Sequence, residues 1–486
     1  MKKKSILFSI LVIISFIVLG IIVPKVGFQN DTFYTIKIGE YITKHGIDMM
    51  DHFSWIANLS YVYPHWLYDV FIYLIYSGFG LTGIYISNMV LYSILLFLMY
   101  KYSSKVSNNK YLSFLIVLFI GFTLSGYVTA RAQLVTYILL LNIIYSIISL
   151  TDKNNKKYYY LMFISSLLIA NCHCAIWPFI FVLFVPYIVS SIVYLVCNKF
   201  KWNPSKYFNI TLNKSYLKSY FKGMLVCLIP GFLTPNFLVP FTYYPKTAMG
   251  ISTRYISEHL PINISSKPLV FIILLIVVTL LLSKKSKVSL GDLFLFSGLF
   301  ILAFSSIRNY SLLVIIGCIP FVKMASNNNF FDLSLVMLNK YFYSIFLLII
   351  FIALFVVVKN NKDKEFIDSN YYPVEAADYI VENLDLGNTR IYNEYNYGSY
   401  LILRDIPVFI DSRADLYLEE FNDGVTIFDE AMNIYDDYDF VFRRYNATHV
   451  LLSDGNKLNT LIKKDNGYKL IYFDAHFNLY EIIYNN

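Results

Sequence analysis

The feature that most constrains this chain is a series of apolar stretches close to the length that crosses a lipid bilayer. An α-helix needs about 20 apolar residues for that crossing. Because 57% of the residues are hydrophobic and only 15% are charged, a soluble domain could not bury this much apolar surface. The sequence therefore predicts a polytopic α-helical membrane protein with about 11 transmembrane helices. The predicted spans are 5–23, 81–100, 111–127, 131–150, 158–171, 175–197, 221–236, 268–283, 290–305, 309–324 and 340–358.

The lysines give these spans an orientation, since basic residues collect in the cytoplasmic loops of membrane proteins. Here the lysines fall in alternate loops, so we predict a cytoplasmic N-terminus and outer loops at 24–80, 128–130, 172–174, 237–267 and 306–308. The formal net charge of +8 follows from this sorting and does not indicate a nucleic-acid partner. The lysines of the predicted cytoplasmic side are Lys2 to Lys4, Lys101, Lys105, Lys110, Lys153, Lys156, Lys157, Lys199 to Lys222, Lys284, Lys285, Lys287, Lys323 and Lys340.

The composition changes near residue 359, which predicts a second domain. Residues 1–358 form the predicted transmembrane domain, whose outer loop 24–80 carries amphipathic helices such as 66–79. A polar linker, 359–370, precedes an extracytoplasmic α/β domain at 371–486. In that domain YPVEAADYIVENL has helical spacing. Short apolar runs predict strands, at TRIYNEY, SYLILR, PVFID, THVLLSD, YKLIYFD and FNLYEIIY.

Ionisable side chains concentrate in the predicted outer loops and at the outer ends of spans. Charges at membrane depth are costly, so such groups usually face a polar cavity or a partner. Arginine binds phosphate well, and a carboxylate near it can take a proton from a nucleophile. The candidates are Asp31, Asp51, His52, His65, Asp69, Arg131, His173, Arg254, Glu258, His259 and Arg308. Asp31 is the candidate base, because it follows the first span at the start of a short predicted helix.

Several of these residues also have ordinary structural interpretations. Asp51, like the nearby Asp48, fits a loop or helix cap, and Arg131 and Arg308 could extend to lipid headgroups instead of holding a ligand. His173 could bind a metal with Cys172 or Cys174, although residues so close on a helix point in different directions. The segment VFIDSRADLY, which follows an apolar strand, is either functional or a salt-bridged turn.

Sequence motifs spread over nearly the whole chain resemble the GT-C superfamily of membrane glycosyltransferases. In that superfamily a first span leads into a long outer loop that opens with an acidic residue, as in the protein O-mannosyltransferases and the aminoarabinose transferase. Here DTFYTIKIGEYITKHG places Asp31 in that position, with Tyr34 and Gly39 spaced as in those relatives. The chain departs from the pattern at Thr32, where a second acid is usual, and at Cys174, where glycine is expected. The chain also resembles a group of bacterial GT-C-like proteins. The segments that carry this resemblance are DHFSW, HWLYDVFIYLIY, NCHCAIW, TARAQL, SSIRNY, GSYLI and VFIDSRADLY.

The resemblance implies a function at the outer face of the cell membrane. A sugar would pass from a polyprenyl-phosphate donor to an acceptor hydroxyl of a glycan, lipid or protein, with inversion and with Asp31 as general base. No cofactor is predicted: Asp31 and Asp51 could together hold a divalent metal, but a metal is not expected. Two other functions stay open: a transporter or flippase of a lipid-linked sugar, and a non-catalytic scaffold whose outer domain binds a partner. The predicted substrate-binding residues are Tyr34, Asp51, His52, His65, Arg131, His173, Arg254 and Arg308.

Overall fold

The protein is mostly helical in the computed structural model, which describes residues 2–150, 156–203, 210–265, 267–283, 288–327 and 340–484. Lys153, Lys206, Lys284, Lys285 and Lys287, which support the predicted orientation, lie outside these ranges. The helices are α1 (Lys2–Ile22), α2 (Asn30–His45), α3 (Trp66–Ser107), α4 (Lys110–Thr123), α5 (Ala132–Ser149), α6 (Lys156–Cys172), α7 (Phe179–Lys199), α8 (Leu217–Leu228), α9 (Val239–Met249), α10 (Ser252–Tyr255), α11 (Pro268–Leu282), α12 (Leu290–Ser305), α13 (Tyr310–Ile316), α14 (Cys318–Ser326), α15 (Lys340–Asn361), α16 (Val374–Asn383), α17 (Gly398–Leu403), α18 (Ile427–Met432), α19 (Tyr438–Tyr445) and α20 (Lys457–Ile462).

In the part of the chain that the structure describes, six strands form two sheets. In the smaller sheet, β1 (Ile210–Thr211) pairs with β2 (Val288–Ser289) in parallel. The larger sheet has the order β3-β4-β6-β5, in which only the β3–β4 pair is parallel. Its strands are β3 (Ile391–Tyr392), β4 (His449–Ser453), β5 (Tyr468–Phe473) and β6 (Phe477–Ile482).

Each predicted span coincides with a helix or a pair of short helices, but the predicted number of spans is not confirmed. Within the described ranges, four helices are long and apolar enough to cross a membrane, or five if one pair bent by 49° counts as a single span. The bend separates α13 from α14. The four are Trp66–Ser107, Ala132–Ser149, Cys174–Lys199 and Phe342–Asn361. The chain is therefore a multi-pass helical protein whose remaining apolar helices are shorter, namely Ile6–Ile22, Lys110–Thr123, Pro268–Leu280 and Leu290–Ser305.

The chain divides into two compact units, and the first contains most of the apolar helices. This unit comprises Met1–Lys25, Tyr85–Phe241 and Ser257–Asp363. Helix α5 is the most buried of the four membrane-length helices, with 72% of its residues buried, as expected for a helix that is hydrophobic all round. The indole of Trp177 is also buried, and its Nε1 donates to the Ser166 hydroxyl at 2.9 Å.

The second unit combines the first predicted outer loop with the C-terminal part of the chain. It comprises Val26–Ile84, Thr242–Ile256 and Lys364–Asn486. Helix α2 packs against α17, with the ring of Phe33 edge-on to the rings of Tyr372 at 5.0 Å and Tyr400 at 5.5 Å. The loop after α2 continues this packing, because the Trp55 Nε1 donates to the Ile391 carbonyl at 3.0 Å. The predicted domains stay a prediction, but the loop 24–80 and the tail share this unit.

Two predicted strands of the tail are wrong. SYLILR forms α17, and its residues from Ser399 to Ile402 are all buried. A short apolar run that is buried on all sides gives no periodicity that separates strand from helix. In PVFID, Val408 makes an isolated parallel bridge to Ser54 and joins neither sheet. The other predicted strands correspond to β3, β4, β5 and β6, and the predicted helix is α16.

The predicted amphipathic segment 66–79 is the first part of α3. The helix is interrupted at Gly80, whose φ of +59° and ψ of −157° are non-helical. A side chain would be strained at this positive φ. The interruption separates 66–79 from the predicted span 81–100, as the sequence suggested.

Candidate functional site

Asp31 lies in the first turn of α2, in the second compact unit. The preceding Asn30 fixes this end of the helix, because its Nδ2 donates to the Tyr395 carbonyl at 3.0 Å. Asp31 is half-buried, and Tyr34, three residues further on, is 7% exposed. A helix N-terminus stabilises negative charge. A carboxylate held in this position can accept a proton from a hydroxyl group that reaches it.

Asp51 belongs to a buried ionic cluster. Its Oδ1 accepts from Arg413 Nη1 at 2.5 Å, and its Oδ2 accepts from the Ser54 amide at 2.9 Å. Arg413 also donates to Asp411 through Nε at 2.9 Å and Nη2 at 2.7 Å. The Arg413 and Asp51 side chains are only 1% and 0% exposed. The contacts recorded for Asp51 thus connect the loop after α2 to the VFIDSRADLY segment, and its predicted substrate contact stays a prediction.

Aromatic rings and hydroxyl groups complete this cluster. The Arg413 guanidinium lies over the rings of Tyr61 at 5.0 Å and Phe53 at 5.4 Å. Burial alone would lower the pKa of Arg413, but the charges of Asp411 and Asp51 hold this pKa well above its ordinary value. Burial, and then the Asp411 charge, raises the pKa of Tyr417, which donates to the Asp411 carboxylate. The segment is therefore a salt-bridged turn, one of the two interpretations that its sequence allowed.

His52 belongs to an exposed cluster around Asp48. The Asp48 Oδ2 accepts from the Tyr41 hydroxyl at 2.6 Å and lies 2.7 Å from His52 Nε2. The rings of Tyr41 and His52 stack with their centroids 4.4 Å apart. Partial burial opposes ionisation of Asp48, yet the hydrogen bonds from Tyr41, Met50 and His52 lower its pKa to about 2. Asp48 therefore organises the loop as an anion and does not cap a helix.

The first unit holds two of the predicted arginines, and one short turn contacts both. Arg131 is the N-cap residue of α5, and its Nη1 donates to Glu258 Oε1 at 3.0 Å and Oε2 at 3.2 Å. Arg308 lies in the 3₁₀ turn Ile307–Asn309, with its Nη1 3.5 Å from His259 Nε2. Because Glu258 and His259 are adjacent in the turn Ser257–His259, Arg131 and Arg308 belong to one local cluster.

Further polar groups extend this arginine cluster, which we define as Arg131, Arg308, Glu258, His259 and Lys267. The Lys267 ammonium lies 5.8 Å from the ring centre of Tyr310 and 5.0 Å from that of Tyr127, whose hydroxyl donates to the Ile307 carbonyl, next to Arg308, at 2.8 Å. Burial, followed by the nearby Arg308 charge, lowers the pKa of His259, so the imidazole is neutral at pH 7. The cluster then carries three cations and one carboxylate, an arrangement that suits an anion.

The remaining predicted site residues are His173, Arg254 and His65. His173 follows α6 and is 8% exposed, and its Nδ1 lies 3.0 Å from the Thr136 hydroxyl. Arg254 is an exposed residue of α10. His65 precedes α3, and its carbonyl accepts from the Asp69 amide at 3.0 Å. Within the described ranges, no group of three or more His, Cys, Asp or Glu side chains is arranged to hold a metal ion.

Several of the residues described here were not among the predicted substrate-binding residues, and Glu258, His259 and Arg413 are three examples. Glu258 and His259 were noted as ionisable, and their adjacency in a predicted outer loop was the available signal. Nothing in the sequence indicates the contact between Arg413 and Asp51, because 362 positions separate the two residues along the chain.

Solved structures of membrane glycosyltransferases have the same fold as this chain. The apo oligosaccharyltransferase of Archaeoglobus fulgidus matches with a TM-score of 0.58 at 12% identity, over 92% of this chain and 69% of its own. Apo ArnT from Cupriavidus metallidurans matches with a TM-score of 0.57 at 9% identity, over 99% and 98%. The chain has the GT-C fold.

A second ArnT structure from Cupriavidus metallidurans, bound to undecaprenyl phosphate, gives the same result. Its TM-score is 0.56 at 10% identity, over 98% of this chain and 97% of the ArnT chain. No family model matches this chain, and no curated protein does. At these identities the likeness establishes the GT-C fold, and the functional residues must be argued from this chain itself.

Proposed function

We propose that this GT-C-fold protein is a membrane glycosyltransferase that transfers a sugar from a polyprenyl-phosphate donor to an acceptor hydroxyl at the outer face of the membrane. The observation that carries the proposal is the arginine cluster. Two arginines and a lysine of this cluster lie with a single carboxylate beside the ends of apolar helices. A lipid-linked phosphate requires such cations next to a lipid-exposed surface.

Asp31 is the proposed general base, and Tyr34, His52, His65, His173 and Arg254 remain proposed substrate contacts. Support for Asp31 comes from its position in the first turn of a helix that is packed against α17. A helix terminus that favours the carboxylate form keeps the base ready to accept a proton. Asp51 also remains a proposed substrate contact, and its contact with Arg413 supports a positioning role for it as well.

The proposed reaction is a single displacement. Asp31 takes the proton of the acceptor hydroxyl as the hydroxyl oxygen forms a bond to the anomeric carbon. The bond between that carbon and the donor phosphate oxygen breaks, and the polyprenyl phosphate leaves with the electron pair and the additional negative charge. Arg131 and Arg308 stabilise that charge, because fixed cations act more strongly where water is partly excluded. The configuration at the anomeric carbon is inverted.

The test is a transfer assay with purified protein and several polyprenyl-phosphate sugars. We expect Asp31→Asn to lower kcat by roughly 10²–10⁴-fold, the usual contribution of a general base. The matched control is Asp423→Asn, which removes an exposed carboxylate of the tail and should retain wild-type turnover. Equal turnover by Asp31→Asn and wild type would remove Asp31 from the mechanism, and no turnover with any donor would refute the proposed reaction.

A further inference from the structure

We propose that Glu258 competes with the donor phosphate for Arg131. The Glu258 carboxylate binds Arg131 until a phosphate displaces it. The inference rests on the proposed function and adds a specific determinant of donor affinity to it. Both carboxylate oxygens of Glu258 lie within hydrogen-bonding distance of Arg131 Nη1, at 3.0 Å and 3.2 Å. A carboxylate that binds guanidinium this way uses the donor that a phosphate oxygen would use.

The partial exposure of this pair allows exchange. The Arg131 side chain is 21% exposed and that of Glu258 is 39% exposed, so a ligand can approach the guanidinium and Glu258 can move into water. Ion pairs at such positions are weak, since solvent screens them and ordering both side chains costs entropy. Glu258 can therefore give way to a phosphate, whereas a fully buried partner could not.

The backbone of the turn is anchored independently of the Glu258 side chain. The Ser306 hydroxyl donates to the Glu258 carbonyl at 2.8 Å, and the Ile307 amide donates to the Leu260 carbonyl at 3.0 Å. A third bond, from the Ile262 amide to the Phe304 carbonyl, measures 3.2 Å. These bonds hold the turn in place during the exchange, so the release of Arg131 requires only rotation of a side chain.

Adjacent residues of this turn give the two arginines of the cluster different partners. Arg131 faces a carboxylate, whereas Arg308 faces the imidazole of His259, which is neutral at pH 7. The charge of Arg308 is thus available to attract an anion, whereas the charge of Arg131 is balanced by Glu258 until an anion replaces the Glu258 carboxylate. Glu258 is the carboxylate whose removal should strengthen binding.

Because Glu258 is attached to the protein next to Arg131, it reduces the binding of other anions to Arg131. The effective concentration of its carboxylate is high and does not depend on the concentration of the protein. Weak anions such as inorganic phosphate or a phospholipid headgroup then occupy Arg131 less than they would without Glu258. A polyprenyl phosphate, which also buries its chain, has additional binding free energy with which to displace Glu258.

The experiment measures binding of undecaprenyl phosphate to the full-length protein in zwitterionic lipid nanodiscs. We expect Glu258→Gln to tighten binding roughly two- to five-fold, which is the strength of a partly exposed ion pair, and to lower KM for a donor in the transfer assay by a similar factor. Glu258→Asp, which keeps the charge, should stay close to wild type. Glu382→Gln, an exposed residue of α16, is the matched control and should not change the affinity.

Two further arms complete the design. In the Arg131→Ala background, Glu258→Gln should give no gain, because the guanidinium for which it competes is absent. Inorganic phosphate and phosphatidylglycerol serve as separate probes, and both should bind Glu258→Gln more strongly than wild type. A gain that persists without Arg131 would overturn the inference, since it would reflect only a general change in surface charge.

The outcomes separate this inference from the proposed function. If wild type binds undecaprenyl phosphate and transfers sugar, but Glu258→Gln binds no more tightly, the competitor role is wrong and the glycosyltransferase stands. If neither wild type nor Glu258→Gln binds the lipid phosphate, both are wrong. Tighter binding by Glu258→Gln in a protein that transfers no sugar would support the anion site and refute the proposed reaction.

Discussion

At the scale of single residues, the role of a charged side chain depends on the partner that tertiary packing gives it. The carboxylate of Asp51, one of the predicted substrate contacts, accepts from the buried guanidinium of Arg413. Nothing near Asp51 in the sequence indicates this, because Arg413 lies 362 positions away. Arg131 and Arg308 were predicted to bind substrate, and the turn that contains Glu258 and His259 contacts both. A sequence gives residue types, whereas pairing depends on tertiary packing.

The buried position of Arg413 leads to a stability prediction. Arg413→Ala should destabilise the second unit by about 3–5 kcal/mol, because it leaves Asp51 and Asp411 buried without their cation. The measurement is the unfolding temperature of the purified protein, followed by tryptophan fluorescence. Arg443→Ala is the matched control, since Arg443 pairs with Asp439 on an exposed helix face and its loss should have little effect. Similar losses for the two variants would show that the buried cluster has no special contribution.

At the scale of elements, helices were predicted well and their packing was not. The amphipathic pattern and composition located α2 and the first part of α3, because hydrophobic periodicity is a local property. Their close approach at Gly39 depends on the fold: a Cβ there would lie 2.1 Å from the Asp69 carbonyl oxygen. SYLILR shows the other limit, since a fully buried short segment has no periodicity to read.

Gly39 tests this helix contact. Gly39→Ala should force α2 away from α3 and lower both the unfolding temperature and the transfer rate, because the atoms in the way are backbone. Gly298→Ala, in the interior of α12, meets no atom within 4 Å and should stabilise its helix by about 0.5–1 kcal/mol. In a thermal unfolding assay, we expect Gly39→Ala to lower the unfolding temperature and Gly298→Ala to raise it. Equal stabilisation at both positions would contradict the close contact.

At the scale of the whole molecule, composition predicted a soluble tail but not that residues from the first loop complete it. The second unit takes in Val26–Ile84 and Thr242–Ile256 together with Lys364–Asn486. The ring of Phe33 contacts Tyr372 and Tyr400, and the Ser60 hydroxyl donates to Asn422 Oδ1 at 2.8 Å. A change in composition along the chain marks a boundary in sequence, whereas a compact unit is assembled in space.

A fragment experiment follows from this composite unit. Residues 364–486 expressed alone should expose the surface that α2 covers, and we expect them to aggregate or to melt without cooperativity. The same fragment fused through a flexible linker to residues 26–64 should be monomeric and should melt cooperatively. Size-exclusion chromatography and circular dichroism measure both properties. A tail that melts cooperatively at the same temperature with and without the loop would contradict the composite unit.

The contact between Asp51 and Arg413 has a consequence for biosynthesis. Since the ribosome makes Asp51 first and Arg413 362 positions later, the segment after α2 must wait through most of translation before its counter-ion exists. A prematurely terminated product would carry Asp31 on a helix that lacks its packing surface. On the proposed mechanism, polypeptides that end before Arg413 would therefore carry the base Asp31 but transfer no sugar.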